Sequence, residues 1–442
     1  MSAGPEELAA ACIFPSFPGT TPPDWVRRFL ADGGGGIVLF AYNVPSREQL
    51  ASLCTVLQSE RPGVLLAIDE EGGDVTRLEW DTGSSYPGGA ALGVVDDPDL
   101  TESVAASIAA ELAAVGVNWS LAPVADVNVP ANPVIGTRAF GSDPHLVARH
   151  VGAWVRGLQS GGVAACAKHW PGHGSTTQDS HLELPQLVGD LEAGLEPFRA
   201  AIAVGVKSIM TAHIRVHDLP ATIDPALIQG LLRDELGFDG VVMADALEMK
   251  AVSDTVGVES SAVQALSAGV DALCVGHDLG EDAVDRIRAA LVAQVDESRL
   301  REAAGRIARL ADWARPAVHA ADHAGAAAGA GRALIVEGDV ALSRAPVIVE
   351  LRPPANIAAG EAEHGLGEAS VVREGELVPR ADVYVVRDAH RHAWMRQAAD
   401  VPGVIVVETG LPMWRPVLAR GYVATYGGGR ASLAAAGEAL GL

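Results

Sequence analysis

Positive charge is scarce in this sequence. Of its 442 residues, 32 are Lys or Arg against 56 Asp or Glu, a formal net charge of -24. A chain this acidic repels phosphate, which argues against nucleic acid and anionic membranes as partners. It says nothing about neutral ligands. Cysteine is scarce too. Cys12, Cys54, Cys166 and Cys274 are far apart and form no Cys-x-x-Cys pair, so neither a zinc ribbon nor a redox dithiol is expected. Cys12, Cys166 and Cys274 lie in apolar runs, where a reduced, buried thiol is the expected state. No run of about 20 apolar residues is present, as a membrane-spanning helix would need. The first residues, MSAGPEELAAACIFP, carry acids where a secretory signal needs bases. The chain is expected to be cytoplasmic. Its 49% hydrophobic and 20% charged residues supply a packed core and exclude a disordered chain.

Short apolar runs recur along the first three hundred residues or so: 9–15, 36–42, 63–69, 116–124, 162–170, 207–214, 240–247 and 270–276. Each is short and uninterrupted, as in a strand buried on both faces. Segments with helical spacing separate most of them, at 23–31, 46–57, 100–115, 144–159, 191–204 and 226–236. Ser46 and Asp224-Pro225 read as helix starts. Strands alternating with helices in this way predict an α/β fold, a (β/α)8 TIM-type barrel. A doubly wound open sheet would show fewer repeats and a Gly-x-Gly-x-x-Gly turn after its first strand, which is absent. A Pro316-containing segment follows, and the boundary is placed there: a catalytic barrel over 1–315 and a smaller α/β sandwich domain over 316–442. In the latter, an Ala-rich stretch at 321–330 reads as a helix. Apolar runs at 346–352, 381–387, 403–409 and 421–427 read as four strands, and 390–399 as a helix.

Polar residues gather at the ends of the predicted strands: Asp69-Glu70-Glu71-Gly72-Gly73, Lys168-His169, His213 and Asp245. In a barrel, catalytic groups project from the strands' carboxyl ends. The densest signal is AKHWPGHGSTTQDSHLELP at 167–185, which reads as an active-site flap rather than a connector. In Asp179-Ser180-His181 the carboxylate can accept from the imidazole, raising its basicity and fixing its tautomer. That suits a general acid/base near neutral pH. Read alone, Asp179 could equally cap a turn with His181 in solvent. His169, His173 and His181 could also bind zinc, but the first strand offers no ligand and Lys168 would repel a cation. No metal and no cofactor is expected. Asp245, at the end of an apolar strand, needs partners or a task. Nucleophile or stabiliser of a cationic transition state are such tasks. Capping the next helix is the plain alternative, and Glu248 and Asp254 are competing carboxylates.

These residues together resemble glycoside hydrolase family 3, in its β-N-acetylglucosaminidase branch. Lys168 to His181 matches the pattern KHxPGxGxxxxDSH at every fixed position. Asp69 to Gly73 with Arg77, Asn118-Trp119 through Asp126, Gly136 to Gly141, and Leu232 to Gly240 follow in family order. The resemblance spans roughly residues 10–310; the C-terminal part is similar more loosely to the second domain of some members. It implies a retaining, exo-acting glycosidase that uses Asp245 as nucleophile and His181, held by Asp179, as acid/base. It further implies that Asp69, Arg138, Lys168 and His169 hold sugar hydroxyls, with His213 and Met210 lining the same pocket. The substrate class implied is small N-acetylglucosaminides, with recycling of cell-wall muropeptides (peptidoglycan) the leading role. Phosphorolysis by inorganic phosphate, giving a sugar 1-phosphate, is the alternative, because an imidazole repels an incoming anion less than a carboxylate does. A non-catalytic sugar-binding barrel would not need the dyad. Three departures stand out: Asp74 where Arg often follows the Gly-Gly pair, Trp170 for Phe, and Ala244-Asp245-Ala246 for Ser-Asp-Asp. Asp74 puts a charge contact near the pocket in question.

Overall fold

Eight short strands, every residue of which is buried, form one parallel sheet: β1 (Ile13–Pro15), β2 (Gly36–Leu39), β3 (Leu65–Ile68), β4 (Trp119–Ser120), β5 (Ala164–Trp170), β6 (Ser208–Thr211), β7 (Val241–Ala244) and β8 (Ala272–Val275). The computed structural model describes residues 3–176, 184–249, 257–276, 279–355, 360 and 365–442. Hydrogen bonding runs in the order β1-β8-β7-β6-β5-β4-β3-β2, and β1 also lies against β2, so the sheet nearly closes into a barrel. All eight apolar runs contain a strand. The 116–124 run shrinks to a two-residue ladder because Pro123 has no N–H to give. Its carbonyls still pair: Cys166 N donates to Ala122 O at 2.8 Å and Lys168 N to Pro123 O at 3.0 Å.

Around the barrel lie α1 (Pro5–Ala11), α2 (Asp24–Ala31), α3 (Arg47–Glu60), α4 (Gly89–Val95), α5 (Pro98–Val115), α6 (Pro144–Ser160), α7 (Leu191–Ala203), α8 (Ala226–Glu235, wound with the wider i→i+5 pattern), α9 (Val258–Ala268), α10 (Glu281–Gln294) and α11 (Glu297–Trp313). Their starts are chemically marked. Ser46 Oγ accepts from Gln49 N at 3.2 Å and Asp224 Oδ1 from Ala226 N at 2.9 Å, as the sequence predicts. Helix α5 begins before the predicted Leu100 because Asp97 caps it and Pro98 opens it.

The Leu232–Gly240 segment is a staple beneath β7. Arg233 donates to the carbonyls of Phe238 and Gly240 at 2.8 and 2.7 Å and to Asp271 at 2.6 Å. Arg299 and Arg306 join Asp271 at 2.6 and 3.3 Å, which gives this buried carboxylate its countercharge at the pole opposite the strands' carboxyl ends.

After α12 (His323–Ala333) comes a second sheet: β9 (Ile335–Gly338), β10 (Ile348–Leu351), β11 (Ala369–Val372), β12 (Val383–Val386), β13 (Ile405–Glu408) and β14 (Gly421–Ala424). Its order is β11-β10-β12-β13-β14-β9, parallel except for β9 on β14. The four predicted strands are present. The other two, β9 and β11, are edge strands with largely exposed residues; the apolar stretch 333–336 at β9 directly continues helix α12, and β11 offers only Val371-Val372. Helix α13 (Ala393–Ala399) covers one face through Met395, and α14 (Arg430–Leu440) covers the other through Leu433 and Leu440. The predicted helix over 390–399 begins only at Ala393, since 389–391 form a tighter turn. Helix α12 packs on α4 and α5 of the barrel and on α14. All four cysteines are free and buried, and burial pushes the thiols of Cys12, Cys54 and Cys166 up to about 12. Among the described residues no helix is long and apolar enough to cross a membrane.

Candidate active site

The loops after β3 and β4 meet the carboxyl-terminal part of β5 in a buried charge network. The Lys168 ammonium lies between two carboxylates, 2.6 Å from Asp69 Oδ1 and 2.7 Å from Glu71 Oε1. Glu71 in turn takes two parallel bonds from Arg138, Nε to Oε2 at 2.9 Å and Nη2 to Oε1 at 2.8 Å. Arg77 approaches Asp69 at 3.6 Å. Lys168, Glu71 and Arg138 side chains are 3%, 5% and 6% exposed, whereas Asp69 keeps 20%, so Asp69 is the member that faces the solvent side. Burial opposes charge on Glu71, but the Arg138 guanidinium and the Lys168 ammonium outweigh it and hold that carboxyl well below the usual range. Burial also opposes charge on Lys168, and Asp69 and Glu71 reverse that, raising its pKa. Glu71 and Lys168 therefore hold each other in their charged forms at neutral pH. Glu70 points the other way: its carboxylate accepts from Arg77 N at 2.9 Å and Leu78 N at 3.0 Å and shapes the loop, and burial pushes it up to about 7.

His169 is held by a residue that sequence reasoning left without a role. Asp126, fully buried in the β4 loop, lies 2.7 Å from His169 Nδ1 and accepts the His173 backbone N–H at 2.6 Å. His173 Nδ1 is 3.0 Å from Thr176 Oγ1, and burial pushes this imidazole down to about 4. Two of the three histidines weighed as zinc ligands, His169 and His173, are thus engaged with protein partners; the third, His181, lies outside the described residues. Among the described residues no His, Cys, Asp and Glu group has the arrangement of a metal site.

Asp245 directly follows β7, with Ala246 N donating to its Oδ1 at 2.8 Å. It lies close enough to His173 for its charge to act on that ring. His213, wholly buried, contacts Thr222 Oγ1 through Nδ1 at 2.8 Å and Ala246 O through Nε2 at 3.0 Å. It pins the backbone immediately after Asp245. Met210 pairs in register with Lys168 on one side and Met243 on the other, so these three side chains share one face of the sheet. Glu248, the competing carboxylate, accepts the Gly276 N–H at 3.0 Å and ties β7's loop to β8. Asp179, His181 and Asp254 lie outside the described residues.

Two members, Glu71 and Asp126, were named in the sequence motifs but given no role there. The signal for Glu71 was its spacing from Asp69, since alternate residues leaving a strand share a face. Asp126 gave no local signal; its partner is 43 positions away. Asp74, the departure noted above, faces the second domain and pairs with Arg387.

Known proteins share this fold and sequence pattern. The family model for the glycosyl hydrolase family 3 N terminal domain matches residues 23–310, well over half of the chain. A curated beta-hexosaminidase from Methylococcus capsulatus is 38% identical over 259 residues, covering 56% of this chain and 78% of the relative. The solved family 3 beta-N-acetylglucosaminidase from Paenibacillus sp. str. FPU-7 superposes with a TM-score of 0.87 at 29% identity, over 99% of this chain and 97% of that one, both domains included. NagZ from Neisseria gonorrhoeae, solved in complex with N-trifluoroacetyl-D-glucosamine, matches 69% of this chain and 98% of its own at 29% identity and a TM-score of 0.58. A barrel whose β3, β4, β5 and β7 ends carry these charged groups, matched by this family over most of its length, has one assignment: the chain belongs to glycosyl hydrolase family 3.

Proposed function

We propose that this chain is a retaining, exo-acting β-N-acetylglucosaminidase that removes terminal N-acetylglucosamine from β-linked glycosides. The observation that carries the reading is the hydrogen-bonded Asp69–Lys168–Glu71–Arg138 network at the carboxyl ends of the strands, the same end of the barrel at which Asp245 follows β7. Such a network offers fixed donors and an acceptor to a ring of sugar hydroxyls, and it needs no reorganisation when substrate arrives. Asp69, being the most exposed member, accepts from a hydroxyl; Lys168, Arg138 and His169 donate. Asp126 orients His169, and His213 orients the Asp245 loop.

In the first step an Asp245 oxygen attacks the anomeric carbon as its bond to the leaving oxygen breaks, and protonated His181 gives its proton to that oxygen. A glycosyl–Asp245 ester and neutral His181 result. In the second step His181 takes a proton from water, and the hydroxide displaces Asp245 from the same carbon. Two inversions leave the β configuration unchanged. Asp179 keeps the imidazole protonated for the first step. Four free, buried thiols fit a reducing compartment, and we assign the enzyme to the cytoplasm, acting on wall-derived muropeptide fragments.

The test is product analysis on an aryl β-N-acetylglucosaminide with and without millimolar phosphate, read by NMR before mutarotation. Free β-N-acetylglucosamine in both is expected. An α product would overturn the retaining mechanism, a sugar 1-phosphate would replace hydrolysis by phosphorolysis, and no release at all would overturn the reading.

A further inference from the structure

The sugar network accounts for Asp69 and Glu71, but not for Asp74 on the same loop. Its carboxylate, 5% exposed, takes bonds from Arg387 Nη1 and Nη2 at 3.0 and 2.9 Å, Thr137 Oγ1 at 2.6 Å and Gly428 N at 2.7 Å. Arg387 and Gly428 belong to the second domain. Thr137 precedes Arg138, and Arg387 Nη2 reaches Thr137 Oγ1 as well, at 3.3 Å. One guanidinium thus ties together the loop bearing Asp69 and Glu71 and the turn bearing Arg138.

Arg387 stands on a fixed support. Buried Glu408 accepts the N–H groups of Asp388, Ala389 and Gly410 at 2.8, 3.0 and 2.7 Å. Backbones also meet closely here: a Cβ placed on Gly429 would lie 2.8 Å from Gly73 O, and Gly73 itself has φ +58°. Yet packing does not hold the loop on every side. A cavity of about 360 Å³ opens between the domains and is lined by Asp74, Thr137, Arg138, Arg352, Arg387 and His390. The loop backs onto that space, so the ion pair carries the restraint there.

We infer that the second domain positions the sugar pocket: Arg387, through Asp74, holds the loop after β3 so that Asp69 and Glu71 stay in register with Lys168 and Arg138. Arg387 is a positioning residue, and the inference rests on the reading of those four groups as sugar ligands. Loosening them weakens binding of substrate and transition state alike, which raises KM and leaves kcat nearly unchanged.

The experiment compares Arg387→Met, Arg387→Lys, Asp74→Asn and the Asp74→Asn/Arg387→Met pair. For Arg387→Met, KM on the aryl glycosaminide should rise about tenfold with kcat within about threefold of the parent. Arg387→Lys should recover part of that loss, and the double variant should be no worse than the worse single variant, as for groups acting as one unit. Independently of turnover, hydrogen exchange of the Gly73 and Val75 amides, bonded to Tyr86 O and Gly72 O, should quicken in Arg387→Met and Asp74→Asn. An unchanged KM with a lowered melting temperature, or unchanged exchange at Gly73, would overturn the clamp. If the parent enzyme cleaves no glycosaminide, the functional reading falls, and the exchange result alone decides the clamp.

Discussion

Replacing Glu71 by Gln keeps the shape of the side chain and removes one charge. Glu71 Oε1 serves both Lys168 Nζ at 2.7 Å and Arg138 Nη2 at 2.8 Å, and Oε2 serves Arg138 Nε at 2.9 Å. An amide NH2 in either position would face an N–H donor. Among Asp69, Glu71, Lys168, Arg138 and Arg77 the charge sum goes from +1 to +2, and Arg138 loses its carboxylate while buried. Breaking a buried pair in this way costs about 3–5 kcal/mol. For a domain of about 300 residues, at about 2.1 cal/mol/K per residue, that is a fall in Tm of about 5–8 °C. The Lys168 and Arg138 donors also lose their fixed positions, so kcat/KM should drop by about tenfold or more, carried mainly by KM. Differential scanning calorimetry and initial rates on the same preparation read both. A variant whose Tm stays within about 1 °C of the parent and whose KM stays within about twofold would refute the argument that Glu71 holds the network together.

Asp245→Ala should lower kcat by about 10³-fold or more, about 4 kcal/mol in the barrier; initial rates near the parent's would remove Asp245 as nucleophile. Asp179→Ala should slow turnover and move the alkaline limb of the kcat/KM profile about one unit toward lower pH, since His181 loses the carboxylate that favours its protonated form; an unmoved limb would break the dyad. His173 is held down to about 4 against 6.5 unfolded, with burial as the main cause and Asp126, His169 and Asp245 as its charged neighbours. Its depressed pKa means that the unfolded chain takes up the proton first as pH falls, so stability contributed above pH 6.5 is lost on the way to 4. Unfolding in urea at pH 6.5 and 4.5 should show that His173→Gln loses about 2 kcal/mol less than the parent over this interval; equal losses would sink the assignment.

Much of the barrel was legible because its strands are buried on both faces, which turns each into an unbroken apolar run such as 207–214 or 270–276. The edge strands β9 and β11 were not, because β9's short apolar stretch runs straight on from helix α12 and β11 has only two consecutive apolar residues. In the site, Asp69, Lys168 and His169 announce themselves as polar residues at the ends of apolar segments. Asp126 owes its importance to a partner 43 positions away, a pairing that local patterning does not record, whereas Glu71, bonded to Arg138 67 positions away, was marked only by its spacing from Asp69. Asp74 showed only as a departure from a pattern, with its meaning 313 residues downstream in Arg387.

That departure limits how the two halves can be recombined. Were arginine present at position 74, it would confront the Arg387 guanidinium at the seam, with the Gly428 N–H adding a further donor where a carboxylate now accepts. Grafting this C-terminal half onto such a barrel would set like charges face to face at the seam, so the identities at 74 and 387 have to travel as a couple.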